Sequence, residues 1–427
     1  MPVASAEHRS RWWLLGIVAV GSCLRVAWAL YATRPAVGLH DPTFYSIFAG
    51  QIADGRGYRL LDGQPTAYYP VGYPAALAAV YWLADLLDVV HDRLSLVVAL
   101  NLAAAGASFA LVFEVGRRLF DHRVGLVAAA GLALMPNLVF HTGLALTETL
   151  FNAVALAAVL VVVATSWRER HVGALVAFGA LVGVSALIRP PSLLFVPVLA
   201  LAGARSAGWG WREGLRSLVV PALAAAAVIA PWTVRNIVVM EAPVLISTNM
   251  GDNLCIGNNP AASGHFQPEP SCLDGYGALR RPELEVRRDA DNRRRGIEYI
   301  RNEPLAQIRL VGLRLLNTFR NDTDGLRAAE SYGDDPFIPG PTRTALGVAA
   351  NVTFFATLVL GLASLVVCRG RDQRRPGRVF VALAGASLAV TPLAFFGDPR
   401  FHVPVVPFLV VGAAAVLVAG PDRLRAR

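Results

Sequence analysis

Lysine is absent from this 427-residue chain, and charge of either sign is scarce. Only 16% of the residues are charged, 55% are hydrophobic, and all 39 basic residues are arginine. A soluble domain of this length could not bury so much apolar surface, so that class is excluded. The mean hydropathy of +0.49 instead predicts an all-α protein that crosses a membrane many times.

The arginines lie in short clusters between apolar stretches. This distribution argues against nucleic acid as a partner and is the one that orients proteins in a bilayer. At about 20 residues for each crossing, we count about ten stretches that suit membrane helices: 12–32, 94–116, 124–143, 147–165, 172–188, 191–205, 215–233, 343–368, 379–396 and 401–419.

Alternate connections carry short arginine clusters, at residues 9–11, 117–123, 168–170, 205–216, 369–378 and 423–427. The positive-inside rule therefore places the arginine-rich connections and both termini in the cytoplasm. We predict an N-terminal membrane module (1–233) that includes a first outer loop (33–93), an outer subdomain (234–342) and a C-terminal membrane module (343–427). A signal peptide ending at Ala27-Trp28-Ala29 is an alternative for the start, and it would leave the later spans unchanged.

Cysteine is also rare, with four residues in the chain. Cys255 and Cys272 lie in the long polar loop, and they can pair if that loop faces an oxidising compartment. Such a bond would stabilise the loop by roughly 3 kcal/mol. Two free thiols are the alternative.

The first outer loop begins with an acid at the end of a membrane helix. After Asp41, the residues Phe44, Ile47, Phe48 and Ile52 recur at helical spacing, which predicts an amphipathic helix lying flat in the interface. The helix dipole favours a carboxylate at its start, and an acid kept at a membrane interface is a functional candidate. Capping of the helix by Asp41 is the alternative, and both roles can hold together.

Several short motifs follow one another along nearly the whole chain. They are Asp41 with Tyr45, Ala49 and Gly55; Ala67-Tyr68-Tyr69-Pro70-Val71-Gly72-Tyr73-Pro74; Arg117-Arg118-Leu119-Phe120; Thr147-Glu148; Arg189-Pro190; Pro231-Trp232-Thr233-Val234-Arg235-Asn236; Gly257-Asn258-Asn259-Pro260; and Arg400-Phe401-His402-Val403-Pro404. The ordered set resembles the bacterial family 39 glycosyltransferases of the GT-C superfamily, to which the protein O-mannosyltransferases and the lipid A aminoarabinose transferases also belong.

This resemblance implies a GT-C-type bundle of about ten membrane helices, with interfacial helices in the first outer loop and one large periplasmic loop. It further implies an enzyme of the bacterial inner membrane that moves a sugar, with inversion, from a polyprenyl-phosphate carrier to an acceptor on the outer face. The acceptor could be a protein, a lipid or a polysaccharide. In such enzymes an Asp of the first outer loop is the general base, and Asp41 matches that position. Many relatives carry a second acid immediately after this one, whereas Pro42 stands there in this chain. The resemblance therefore implies a site with one acid here, not two.

The chemistry of sugar transfer agrees with this assignment. An attacking hydroxyl must lose its proton, and a carboxylate within about 3 Å accepts it. The leaving phosphate gains negative charge, which fixed arginines would stabilise. The reaction then requires no metal and no cofactor, since the lipid-linked sugar is a co-substrate.

Other candidate site residues lie near the outer ends of the spans. Arg400 is the first choice for the donor phosphate because the Arg-Phe-x-x-Pro pattern resembles the family, and the further candidates are Arg25, Arg235 and Arg189. Glu148, an acid among apolar neighbours, is expected to bind the acceptor or to pair with Arg25. Candidates for binding the sugar or acceptor are Tyr45, Tyr69, Tyr73 and His402. Each of these side chains could instead be a membrane anchor or a packing residue.

Two other functions stay open at this point. A transporter or flippase of lipid-linked sugars would use the same basic outer face, although the sequence has neither repeated halves nor paired broken helices. An oligosaccharide ligase would use a pyrophosphate carrier.

Overall fold

A computed structural model of the chain describes residues 2–90, 92–167, 171–273, 281–367 and 376–424. These residues form ten α-helices up to Met240: α1 (Pro2–Ala32), α2 (Asp41–Ala53), α3 (Gly72–Leu86), α4 (Arg93–Leu119), α5 (His122–Leu134), α6 (Pro136–Phe140), α7 (Glu148–Ala164), α8 (Val172–Ile188), α9 (Phe195–Ser206) and α10 (Trp211–Met240). The described residues after Met240 form eight more, the first five of them within 234–342: α11 (Met250–Gly257), α12 (Pro270–Leu273), α13 (Pro282–Asn302), α14 (Pro304–Phe319), α15 (Asp324–Ala329), α16 (Gly340–Val367), α17 (Pro376–Val390) and α18 (Val406–Leu424).

Each of the ten predicted membrane stretches is mainly helical where it is described. Among the described residues, six helices have the length and apolarity to cross a bilayer: Ser10–Ala32, Arg93–Leu119, Trp211–Met240, Gly340–Val367, Gly377–Ala394 and Pro399–Ala419. Helices α5 and α6 would form a seventh span bent by 55°, and three shorter apolar helices cover Glu148–Ala164, Val172–Ile188 and Pro190–Ser206. The chain is therefore an all-α, multi-pass membrane protein.

The bend between α5 and α6 has a local cause. Met135 has extended backbone angles, with φ −64° and ψ 112°, immediately before Pro136. A proline disfavours the helical conformation for the residue before it, so the helix breaks there and restarts in a new direction. After this change of direction Asn137 contacts Asp322 and His141 lies beside Asp324.

Small residues allow helices α8 and α10 to pack closely. A Cβ placed on Gly179 would lie 2.3 Å from the carbonyl oxygen of Pro221, and one on Gly183 would lie 2.9 Å from that of Ala225. Membrane helices associate largely through such close contacts, because lipid gives little hydrophobic driving force.

Helix α2, which starts at Asp41, packs on helix α3. Its buried residues include Pro42, Tyr45, Phe48 and Ala49, whereas Phe44 and Ile47 are half-buried. The face predicted from Phe44, Ile47, Phe48 and Ile52 therefore overlaps the buried face only in part. Packing on protein has replaced some of the expected contact with the interface.

The outer subdomain is built around helices α11 and α13. Gly251 allows their close approach, since a Cβ there would lie 2.1 Å from the carbonyl oxygen of Asp289. Cys255 and Cys272 form a disulfide bond, as predicted, with Cα atoms 5.8 Å apart. The buried side chain of Arg314 of α14 donates to the carbonyl oxygens of Gly257 and Leu393, and so joins the subdomain to the 3-10 helix Thr391–Ala394 that follows α17.

Helix α14 turns an apolar stripe outward. Leu305, Ile308 and Leu316 are 79%, 73% and 68% exposed, as expected of a helix lying along a membrane. Phe319, which the periodicity assigns to the same face, instead stacks on His402 with ring centroids 5.8 Å apart.

Candidate active site

The carboxylate of Asp41 is held by two side chains from distant parts of the chain. Its Oδ1 accepts the hydroxyl of Tyr69 at 2.7 Å, and its Oδ2 accepts a guanidinium N–H of Arg400. His40 is the N-cap of α2, so Asp41 is the first residue inside the helix. The side chain remains 30% exposed, which leaves this carboxylate accessible.

Arg400 bridges two acids. Its guanidinium contacts Asp41 through Nη1 and Glu148 through Nε. Asp398 is the N-cap of the 3-10 helix Pro399–Val405 that carries Arg400, and its carboxylate accepts the Arg400 backbone N–H at 2.9 Å. The fork of the guanidinium suits contact with two acceptors at once.

Glu148, the first residue of α7, pairs with both Arg189 and Arg400. Arg189, which follows the last residue of α8, donates to Glu148 Oε1 at 2.7 Å. Glu148 is fully buried, whereas the side chains of Arg189 and Arg400 are 17% and 13% exposed. A buried carboxylate needs such partners because ionisation without them is very costly. We call Asp41, Tyr69, Glu148, Arg189 and Arg400 the Asp41 cluster.

The structure separates Arg25 from this cluster. Among the described contacts, its guanidinium donates to the carbonyl oxygens of Gly21 (3.1 Å) and Ala133 (2.8 Å) and lies 4.7 Å from the ring centre of Phe109. Arg25 is 1% exposed. The predicted pairing with Glu148 is therefore wrong, because α5 brings backbone acceptors nearer than any acid.

Arg235 also lies apart from Asp41. It donates to the carbonyl oxygens of Thr66 and Tyr58, both at 2.8 Å, and its guanidinium lies over the ring of Trp232. These contacts tie the end of α10 to the first outer loop. The structure thus gives Arg235 a role in holding that loop, not the predicted place beside Arg400.

The three candidate tyrosines, Tyr69, Tyr45 and Tyr73, differ in their contact with Asp41. Tyr69 contacts it directly, and the rings of Tyr45 and Tyr69 lie 5.1 Å apart. Tyr73 is fully buried behind Tyr45, which leaves it no surface for a sugar. Burial and the charge of Asp41 raise the pKa of Tyr69 well above its usual value. The hydroxyl therefore stays protonated and can donate to Asp41.

His402 lies outside the Asp41 cluster, contrary to its predicted place at the sugar. It is fully buried, with Nδ1 2.7 Å from the carbonyl oxygen of Thr318 and Nε2 2.8 Å from Asp322 Oδ1. Asn137 donates to the same oxygen of Asp322 at 2.6 Å. Burial raises the pKa of Asp322. We call Asn137, Asp322 and His402 the Asp322 cluster.

Tyr332 is a neighbour of the site that the sequence did not reveal. It and Ser331 have left-handed backbone angles, with φ 57° and 49°, a conformation that costs energy for residues with a side chain. Its ring lies 5.1 Å from that of His40, and His40 bonds Asp334 at 2.9 Å. Burial raises its pKa, with further effects from the charges of Asp324, Arg400, Asp41 and Glu148. No local sequence pattern predicts that Tyr332 lies near Asp41.

The architecture of the whole chain matches that of known membrane transferases. ArnT from Cupriavidus metallidurans, solved with undecaprenyl phosphate, superposes with a TM-score of 0.57 at 14% identity, over 96% of this chain and 61% of ArnT. The oligosaccharyltransferase of Archaeoglobus fulgidus, solved with Zn and sulfate, gives 0.55 at 13% identity, over 96% and 49%. The same organism's AglB, solved with an inhibitory peptide and a dolichol-phosphate, gives 0.53 at 14%, over 96% and 50%.

These similarities define the class of fold as GT-C. The chain spans about half the length of the two oligosaccharyltransferase chains and 61% of ArnT. The family model described as dolichyl-phosphate-mannose-protein mannosyltransferase matches residues 75–234, and no curated protein sequence gives a significant match. The resemblance predicted from the ordered motifs is thereby confirmed for the fold and, over residues 75–234, for the family model.

Proposed function

We propose that this protein is an inverting glycosyltransferase that moves a sugar from a polyprenyl-phosphate carrier to an acceptor hydroxyl. The observation that carries the proposal is the partly exposed carboxylate of Asp41, fixed by Tyr69 and Arg400. The GT-C fold and the family match over residues 75–234 support the reaction class. Solved GT-C proteins with bound undecaprenyl phosphate or dolichol-phosphate support the choice of carrier.

Asp41 acts as the general base. Each carboxylate oxygen can accept more than one hydrogen bond, so the contacts with Tyr69 and Arg400 leave room for an acceptor hydroxyl. As the hydroxyl oxygen attacks the anomeric carbon, its proton passes to Asp41. Tyr69 and Arg400 fix the direction of the carboxylate, which is the positioning that such a step requires.

Arg400 and Arg189 stabilise the departing phosphate. The bond from the anomeric carbon to the phosphate oxygen breaks, and the polyprenyl phosphate leaves with an additional negative charge. Each guanidinium has five N–H donors, of which the acids use only part. Glu148 is their buried counter-ion and holds the two side chains side by side. Since arginines supply the positive charge, the proposed reaction involves no metal or cofactor.

The reaction takes place on the outer face of the bacterial inner membrane. Asp41, Glu148, Arg189 and Arg400 belong to the ends of spans that the arginine distribution assigns to that side. Both termini are then cytoplasmic. Polyprenyl-phosphate sugars reach such a site within the bilayer, and the acceptor reaches it from the periplasm.

The test is transfer from labelled polyprenyl-phosphate sugars by the purified protein in vesicles. We expect wild-type protein to release polyprenyl phosphate and to form a glycosylated or hydrolysed product, and Asp41→Asn to be slower by about 10³-fold. Arg287→Gln, a change on the exposed side of α13, is the control. An equally fast Asp41→Asn variant would remove Asp41 as the base. Donor lipid carried intact across the vesicle would indicate a flippase, and a strict need for a pyrophosphate carrier would indicate a ligase.

A further inference from the structure

A buried carboxylate of the outer subdomain binds the first outer loop. Glu285 of α13 is 2% exposed. Its Oε2 accepts the hydroxyl of Thr66 at 2.7 Å, and its Oε1 accepts the Ala67 N–H at 2.9 Å and the hydroxyl of Thr248 at 2.6 Å. A buried carboxylate that accepts three hydrogen bonds is well satisfied, and it fixes the groups that donate to it.

A second acid of the same subdomain binds the next residue of the loop. The hydroxyl of Tyr68 donates to Asp252 of α11 at 2.7 Å. Asp252 is 1% exposed and also accepts from Arg288 and Asn292 of α13. The backbone of the loop is held as well, because the Thr248 N–H donates to the Ala67 carbonyl oxygen at 3.0 Å and Arg235 donates to that of Thr66 at 2.8 Å.

Residues 66–68 lead directly to the group that holds the proposed base. Tyr69 follows Tyr68 in the chain, their rings meet edge to face at 4.9 Å, and the Tyr69 hydroxyl donates to Asp41. A loop residue bonded to Asp41 alone could rotate away, whereas one that follows three anchored residues cannot do so freely.

We propose that the outer subdomain positions the general base, with Glu285 and Asp252 as positioning residues that act through Tyr69 on Asp41. This inference rests on the proposed function for its effect on rate. It assigns the 234–342 subdomain a part in the reaction without any contact between Glu285 and a substrate. The fold supports it, since residues 66–69 lie between α13 on one side and Asp41 on the other.

Amide exchange of the first outer loop tests whether Glu285 and Asp252 hold residues 66–68 in place (the clamp), without any activity assay. In the full-length protein, Glu285→Gln should raise hydrogen exchange of the Ala67 and Tyr68 amides by about tenfold or more. Arg287→Gln on the same helix should leave the exchange unchanged. Thr66→Val and Thr66→Ser provide a milder pair, since valine keeps the shape without the hydroxyl and serine keeps the hydroxyl. Unchanged exchange in both Glu285→Gln and Thr66→Val would overturn the proposal.

A double-variant cycle distinguishes positioning from a general loss of stability. Glu285→Gln should lower kcat by about tenfold while the KM for the donor changes by less than about twofold. Tyr69→Phe should have a similar effect, and the double variant should be no slower than the slower single one, because both act on Asp41. Effects that multiply would overturn the proposed route through Tyr69. If wild-type protein transferred no sugar, the proposed function would fail, and amide exchange would still decide whether the clamp exists.

Discussion

The Asp41 cluster and the Asp322 cluster lie on either side of one short turn, and they differ in their contact with water. Arg400 and His402 are two residues apart on the same 3-10 helix. In the first cluster the side chain of Asp41 is 30% exposed, whereas in the second Asp322 and His402 are 1% and 0% exposed. Both clusters combine a carboxylate with a basic side chain, so residue type alone does not distinguish the proposed reactive site from a structural one. The access of the carboxylate to solvent distinguishes them.

The largest effect is expected from removing the residue that joins two acids of the Asp41 cluster. Arg400→Gln should lower kcat by about 10³-fold, because Asp41 loses its orientation and the phosphate loses a cation. Arg400→Lys keeps the charge but lacks the planar fork, so it should recover only part of the rate. Single-turnover transfer of labelled sugar gives both values. Full activity in Arg400→Lys would show that charge without geometry is sufficient.

The Asp322 cluster should respond in stability rather than in rate. Asp322→Ala removes the acceptor of Asn137 and His402 and leaves buried donors without a partner, so we expect a loss of about 4 kcal/mol in the free energy of unfolding. The temperature of unfolding in detergent and the rate per folded molecule are the two measurements. A normal unfolding temperature with a lost rate would reverse the comparison and make Asp322 part of the reactive site.

The pH dependence of stability should reveal the contribution of Asp398, the N-cap of the 3-10 helix that carries Arg400 and His402. Burial raises its pKa from 3.8 to about 6, with a contribution from Asp324. An acid whose pKa rises on folding stabilises the fold fully below about pH 4 and loses that contribution as the pH passes 6. Wild-type protein should therefore lose roughly 3 kcal/mol between these values relative to Asp398→Asn. Parallel curves of unfolding temperature against pH would contradict this.

The smallest effect is expected at Tyr332. Tyr332→Phe keeps the ring against His40 and removes a hydroxyl that lies in the field of Asp41, Arg400 and Glu148. We expect a fall in kcat of about fivefold and no change in stability. A loss as large as that of Arg400→Gln would place Tyr332 within the Asp41 cluster.

Composition was sufficient to predict the apolar helices, because a stretch of 15 to 26 apolar residues reports the surrounding solvent and does not depend on its partners. Among the described residues, six of these helices are long enough to cross a bilayer. The alternation of arginine-rich connections predicted that Asp41, Glu148, Arg189 and Arg400 belong to one side. The resemblance added the expected role of Asp41. These were the parts of the site that depend on order along the chain.

Partners could not be predicted, because they depend on packing between distant segments. Arg400 and Asp41 are 359 positions apart. Arg25 was the predicted partner of Glu148, whereas Arg189 was expected only at the donor phosphate. His402 was misplaced because it follows Arg400 closely, although successive side chains on a tight turn point in different directions. The sequence gives no signal for Glu285, because it is one of many charged residues on α13 and only the tertiary structure buries it.

The Cys255–Cys272 bond lies in the same subdomain as the residues that hold the first outer loop. Helix α11 carries both Cys255 and Asp252, so the covalent link fixes one wall against which Tyr68 rests. With the subdomain on the proposed periplasmic side, a cell unable to oxidise thiols there would make a chain that keeps the residues of the Asp41 cluster but has a loosened support beneath them. Assembly of the proposed transferase would then depend on the redox machinery of the cell envelope as well as on membrane insertion.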